Sequence, residues 1–232
     1  EEKITVNGNV DLYAVVFNRT TETDLTEDQL PQVDIYKYKQ VIFVGDSRTE
    51  FMENVLTGMG ESATKNVKFV CSAGKGLDWF TTTGWAQLYS IVQHDSNSIL
   101  SKKTAVIFNF GVNDLSKSAD YAEYYNWIAP QLKSKGCELY FMSVNPVNRL
   151  MLPNAGRSDR SEAAVRSFNQ YMKANLSSAY TYIDMYSYLK STGYSFASDH
   201  YGTGTVDDGL HYTTRTYKRI FAKCMDSLRV PA

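Results

Sequence analysis

Val41-Ile42-Phe43-Val44-Gly45-Asp46-Ser47-Arg48-Thr49 is an apolar run that ends in Gly-Asp-Ser. β-branched and aromatic residues stopped by a glycine read as a strand. Unbroken apolarity, rather than alternation, marks a strand covered on both faces. Gly45 permits a tight turn, which sets Asp46 and Ser47 at the rim of the sheet. Aspartate and serine are also favoured helix N-caps. The stretch alone therefore leaves capping open as its whole purpose.

Working outward, similar β-rich runs occur at 67–71, 105–110, 139–144 and 180–183, with helix-like stretches at about 48–57, 78–92, 120–135 and 161–176 between them. A last helix, about 213–228, carries Tyr217, Ile220, Phe221, Cys224, Met225 and Leu228 on one stripe at helical spacing. Strand alternating with helix implies parallel strands joined by crossover helices on both faces, an α/β fold. Ser47, the Gly74/Gly76 turn, Asn113 and Asn145 each follow a predicted strand. Reactive groups in such sheets collect at the strand carboxyl ends. Residues 1–37 differ: Ile4 to Leu12 alternates around Asn7-Gly8 like a hairpin or edge strand, and Thr20 to Gln32 is polar and acidic, like a linker. We expect an N-terminal appendage over 1–37 and the main domain over 38–232.

Composition narrows the function. Net charge is -1, with no block of one sign, so the chain lacks the electrostatic footprint of a nucleic-acid binder. The three cysteines, Cys71, Cys137 and Cys224, are too few and too scattered for a disulfide framework. No apolar run is long enough to span a membrane. The 17 tyrosines fit a surface that meets sugars and equally fit a core filler. The start at Glu1-Glu2-Lys3, the sparse cysteine and the polar surface lead us to expect a secreted or cell-surface bacterial protein, a cytoplasmic one being the alternative.

Far downstream, Asp208-Gly209-Leu210-His211 complements Ser47. A serine hydroxyl needs a base to become a nucleophile, and a carboxylate three residues before a histidine can orient its ring. Asp207 is a rival for that carboxylate role. His94, on a polar helix end, reads as solvated, and His200 as a loop residue bordering the site at most. Acyl transfer also needs donors aimed at the developing oxyanion. Gly74 or Gly76 offers a backbone N–H and Asn113 a side-chain N–H, although turn-making and helix capping would explain them equally well on their own. The G-x-S-x-G elbow is missing, as are a Walker loop, a dinucleotide fingerprint and metal-ligand spacing of His or Cys.

Gly45-Asp46-Ser47, the Gly76 turn, Gly111-Val112-Asn113-Asp114 and Asp208-Gly209-Leu210-His211 resemble, in order, the four blocks of the SGNH (GDSL-type) hydrolase superfamily, over about residues 38–230. The resemblance implies a three-layer α/β/α sandwich with a five-stranded parallel sheet, flavodoxin-like in layout. It implies Ser47 as nucleophile, His211 as base and Asp208 as orienting carboxylate. It implies an oxyanion hole from the N–H groups of Ser47 and Gly76 and the side chain of Asn113. A serine esterase of this kind needs neither metal nor cofactor, and none is expected. Two departures stand out: Cys71 or Ser72 occupies the place of the family's usual asparagine, and Arg48 follows the serine instead of leucine. Arg48, Gly74 and Asn145 are possible substrate contacts, although Arg48 is equally a helix-surface residue.

The expected activity is hydrolysis of an ester, with a short acyl group such as acetyl on a carbohydrate the leading substrate. Transfer of the acyl group to a sugar by the same triad is one alternative. A non-catalytic carbohydrate-binding protein on this scaffold is another. The expected partner is a small-molecule or polysaccharide ester; neither nucleic acid nor a membrane is expected.

Overall fold

A computed structural model of the protein describes residues 24–33, 37–96, 103–148, 160–197 and 209–228. Its centre is a five-stranded parallel sheet in the order β2-β1-β3-β4-β5. The strands are β1 (Tyr38–Gly45), β2 (Val67–Cys71), β3 (Lys103–Asn109), β4 (Cys137–Met142) and β5 (Tyr180–Ile183). The helices are α1 (Ser47–Thr57), α2 (Leu77–Trp79), α3 (Trp85–Ser96), α4 (Ser118–Ser134), α5 (Glu162–Asn175), α6 (Met185–Thr192) and α7 (Thr214–Ser227). A π-helical turn, Phe80–Gly84, joins α2 to α3.

Side chains alternate across a strand, and here both alternating sets are buried. Val41 and Phe43 of β1, Ala105 and Ile107 of β3, and Tyr140 and Met142 of β4 share one core with Met52 and Leu56 of α1, Leu189 of α6 and Phe221 of α7. Ile42 and Val44, Val106 and Phe108, and Leu139 and Phe141 share the other with Leu88 of α3, Tyr125 of α4 and Phe168 of α5. The continuous apolar runs are thus two interleaved faces, and the molecule is the three-layer α/β/α sandwich expected. Each fully buried aliphatic or aromatic side chain contributes about 1.5–3 kcal/mol, so both faces stabilise the sheet and hold its edges in place.

The segment before β1 is partly built into this body. Leu30 and Val33 are buried in the first of these cores, and Asp24 pairs with Lys218 of α7 at 2.9 Å. The hairpin expected at 4–12 lies outside the described residues. Cys137 and Cys224 are buried, as small apolar fillers would be; half-buried Cys71 donates its Sγ–H to Glu53. Among the described residues no helix is long and apolar enough to cross a membrane.

Candidate active site at the carboxyl edge of the sheet

The turn from β1 into α1 is tight. A Cβ on Gly45 would lie 2.0 Å from Thr49 Oγ1 and 2.8 Å from the Asn109 carbonyl. Only glycine lets the helix start this close to the strand. Asp46 caps α1: its side chain accepts from the Arg48 N–H at 3.0 Å, and its carbonyl accepts from the N–H groups of Thr49 and Glu50. Ser47 follows as the first helical residue. At that position the helix leaves the backbone N–H without an internal partner, and the positive end of the helix dipole lies beside the side chain. Asp46 and Ser47 thus divide the two roles left open by the sequence, cap and rim hydroxyl.

The ring of His211 meets that hydroxyl. Its Nε2 lies 2.8 Å from Ser47 Oγ, and both residues are buried, at 4% and 5% exposure. A neutral ring with Nε2 unprotonated accepts the hydroxyl hydrogen in this geometry. Three contacts fix the ring. Phe51, one helical turn beyond Ser47, packs on it at a centroid distance of 4.7 Å. Leu210 and Tyr212 anchor in opposite cores. The backbone pairs with residues 195–197, Ala197 N–H donating to the His211 carbonyl and Thr213 N–H to that of Ser195, both at 2.9 Å. Asp208, Asp207 and His200 lie outside the described residues. His94 is in α3 and exposed, its Nδ1 against the Ser90 carbonyl one turn back.

The second and third loops form one unit. Asn113 Nδ2 donates to the Lys75 carbonyl at 2.7 Å, so it orients the peptide whose N–H belongs to Gly76. Asp114 holds the peptide that follows. A Cβ on Gly76 would come within 2.3 Å of Asp114 Oδ2, the atom that accepts the Leu77 N–H at 2.9 Å. Gly74 has φ +70° and open space around it, the profile of a turn residue at the surface. Arg160, 3% exposed, was not singled out in the sequence. It donates through Nε to the Val112 carbonyl at 2.9 Å and through Nη2 to Asn113 Oδ1 at 2.5 Å. These bonds fix which end of the amide carries the N–H groups. Nothing near Arg160 in the sequence signals the role, because its partners lie 47 and 48 positions upstream.

Arg48 and Asn145 are placed differently from the expectation of substrate contact. Arg48 is 2% exposed, and its guanidinium is turned inward onto three main-chain carbonyls. Asn145 is 1% exposed; its carbonyl takes one of those bonds, and its Oδ1 has no hydrogen-bond partner among the described residues.

Burial controls the electrostatics. It pushes the Asp46 carboxyl up to about 6, against the pull of Arg48 and Arg160. It also raises Asp114, against the Leu77 N–H, the Tyr121 hydroxyl and Lys117. A serine and an imidazole in contact at a helix start, with a braced amide in the loop after the neighbouring strand β3, are the parts needed to activate a hydroxyl and stabilise an oxyanion.

Solved structures share this layout. An SGNH hydrolase from Slackia heliotrinireducens aligns with a TM-score of 0.56 and 12% identity, over 83% of this chain and 100% of its own. An acylhydrolase from Bacteroides fragilis aligns at 0.53 and 17%, over 87% and 92%. An acetyl xylan esterase aligns at 0.53 and 12%, over 82% and 100%. At these identities the likeness concerns the fold. No curated protein matches by sequence. The profile of the GDSL-like lipase/acylhydrolases matches residues 41–224, which takes in the carboxyl half of β1, the Ser47 turn and His211. The chain belongs to the GDSL-like lipase/acylhydrolase family, the SGNH hydrolases.

Proposed function

We propose that this acylhydrolase is a serine esterase that removes a short acyl group, foremost acetyl, from a carbohydrate. The observation that carries the reading is the 2.8 Å contact between Ser47 Oγ and His211 Nε2. His211 takes the hydroxyl proton as Oγ attacks the ester carbonyl. The tetrahedral oxyanion is held by the N–H groups of Ser47 and Gly76 and by the Asn113 amide. The intermediate collapses to an acyl-enzyme as His211 returns the proton to the leaving alcohol. Water, deprotonated in turn by His211, releases the acid and restores Ser47. Asp208 is assigned the task of orienting the ring. Gly76 is preferred to Gly74 as the donor because Asn113 holds the peptide that carries its N–H and Asp114 holds the peptide that follows.

Two features support the substrate class. Ser47 is 5% exposed and its hydroxyl partner His211 4%, a degree of enclosure that suits a small acyl group. A groove starts one residue beyond Gly76 and is lined by Leu77, Thr81, Asp120, Glu123, Tyr124 and Trp127. Trp127 is 59% exposed. Flat aromatic rings beside carboxylates suit a sugar, stacking on its apolar face and accepting from its hydroxyls.

The test is an aryl-ester series from acetyl to decanoyl, together with acetylated xylan and acetylated monosaccharides. Ser47→Ala serves as blank. We expect turnover to be highest for acetyl, acetate release from the sugars, and loss of activity in the variant. Full activity in Ser47→Ala would falsify the nucleophile assignment. A preference for long acyl chains would overturn the substrate class. Acylated sugar formed from an added acceptor, in place of free acetate, would make the enzyme a transferase.

A further inference from the structure

Arg48 directly follows the serine and occupies the second position of α1. A surface helix at that position would send an arginine into solvent. Here it is 2% exposed. Nε donates to the Leu210 carbonyl at 2.9 Å, Nη1 to Asn145 at 2.9 Å and Nη2 to Pro146 at 2.8 Å. The guanidinium also lies over the Tyr212 ring, 5.1 Å from its centroid. The Tyr212 hydroxyl in turn donates to the Pro146 carbonyl.

Arg48 therefore grips the chain on both sides of His211, at the carbonyl of residue 210 and the ring of residue 212. It ties both to the loop after β4. Its own backbone N–H is held by the Asp46 cap. One side chain connects the residue next to the hydroxyl with the residues on either side of the imidazole. A planar fork with donors in fixed directions suits this; a lysine, with one flexible point charge, does not.

We propose that Arg48 is the positioning residue that sets the Ser47–His211 distance, a role resting on the reading of those two residues as nucleophile and base. It touches neither the reacting atoms nor substrate. A displacement of about 1 Å at such a pair costs on the order of a hundredfold in rate. Substrate binding is left largely intact.

The test is steady-state kinetics on an acetyl aryl ester with the full chain and its Arg48→Ala and Arg48→Lys variants, folding being checked by circular dichroism. We expect Arg48→Ala to lose about a hundredfold in kcat with KM within about twofold, and Arg48→Lys to lose about tenfold. Added methylguanidinium should restore at least about a tenth of the Arg48→Ala loss, because it can refill the gap and remake the carbonyl bonds. A structural role alone would show as less folded protein with unchanged kcat per folded molecule, and methylguanidinium would not change the rate. Wild-type kcat in either folded variant, or a loss in Arg48→Ala that methylguanidinium leaves untouched, overturns the proposal. If Arg48→Ala does not fold, Arg48→Lys decides. Activity surviving in Ser47→Ala would instead fault the nucleophile reading.

Discussion

The two edges of the sheet handle charge in opposite ways. At the amino edge, Glu138 of β4 accepts from Lys103 at 2.7 Å and from the hydroxyls of Tyr38 and Tyr140, with Lys37 at 3.4 Å. Burial opposes its ionisation, but Lys103, Tyr38 and Lys37 overcome it and hold the carboxyl down at about 2. At the carboxyl edge, burial raises Asp46 to about 6 even with two arginines nearby. One edge is an open ion cluster that its own partners satisfy. The other buries Asp46, Arg48, Arg160, Ser47 and His211. Sites that do chemistry tend to be where burial is allowed to win over pairing. Here that distinction separates the proposed reactive edge from the other one on the same sheet.

The largest effect that would break this contrast is on turnover. His211→Ala is expected to lower kcat/KM by on the order of 10³-fold or more, measured on an acetyl aryl ester. Glu138→Gln, at the other edge, should leave it unchanged. Equal effects from the two would erase the distinction between the edges.

Next come the oxyanion loops. Asn113→Ala should cost about 10²–10³ in kcat, as for loss of one such donor. Arg160→Met should cost less, because the amide remains but is free to turn. If Arg160→Met matches wild type, the bracing of Asn113 has no bearing on the reaction.

Stability sharpens the choice between the two glycines. Gly76→Ala forces a methyl against Asp114 and should cost about 1–3 kcal/mol in denaturant melts, with loss of turnover. Gly74→Ala should cost about 1 kcal/mol for its positive φ, with turnover kept. The reverse pattern of activity would move the donor to Gly74.

The fold was legible because its signal is local. Each apolar run at 41–44, 67–71, 105–110, 139–144 and 180–183 became a strand, with ends shifted by up to three residues. Helix α6 was not anticipated, since its eight residues follow β5 immediately and leave little room for a period to show. Ser47 and His211 were legible as a pair, each giving the other meaning. Arg48 and Arg160 were not, because they serve main-chain carbonyls and an amide 47 to 162 positions away. A carbonyl is present at every residue, so no side-chain pattern reveals which one a guanidinium will find.

A last effect, on stability alone, concerns pH. The folded-state value of Asp46 lies above its unfolded one, so native protein holds the extra proton between about pH 4 and 6, and this group's contribution to stability falls as pH rises through that window. Asp46→Asn keeps the cap and removes the titration. Relative to wild type, the variant should gain up to about 3 kcal/mol on going from pH 4 to pH 7, by urea melts at each pH. Glu138 has the opposite sign: its contribution is present above about pH 4.5 and fades as pH falls toward 2. Glu138→Gln should therefore lower stability at pH 7 relative to wild type, and urea melts should show the difference fading toward pH 2.

The most direct measurement is covalent trapping at the reactive edge. Intact-mass and peptide analysis after a fluorophosphonate should find one adduct per chain on Ser47, absent in Ser47→Ala and slowed by orders of magnitude in His211→Ala. An adduct elsewhere, or equal labelling with and without the imidazole, would contradict the pairing of these two residues.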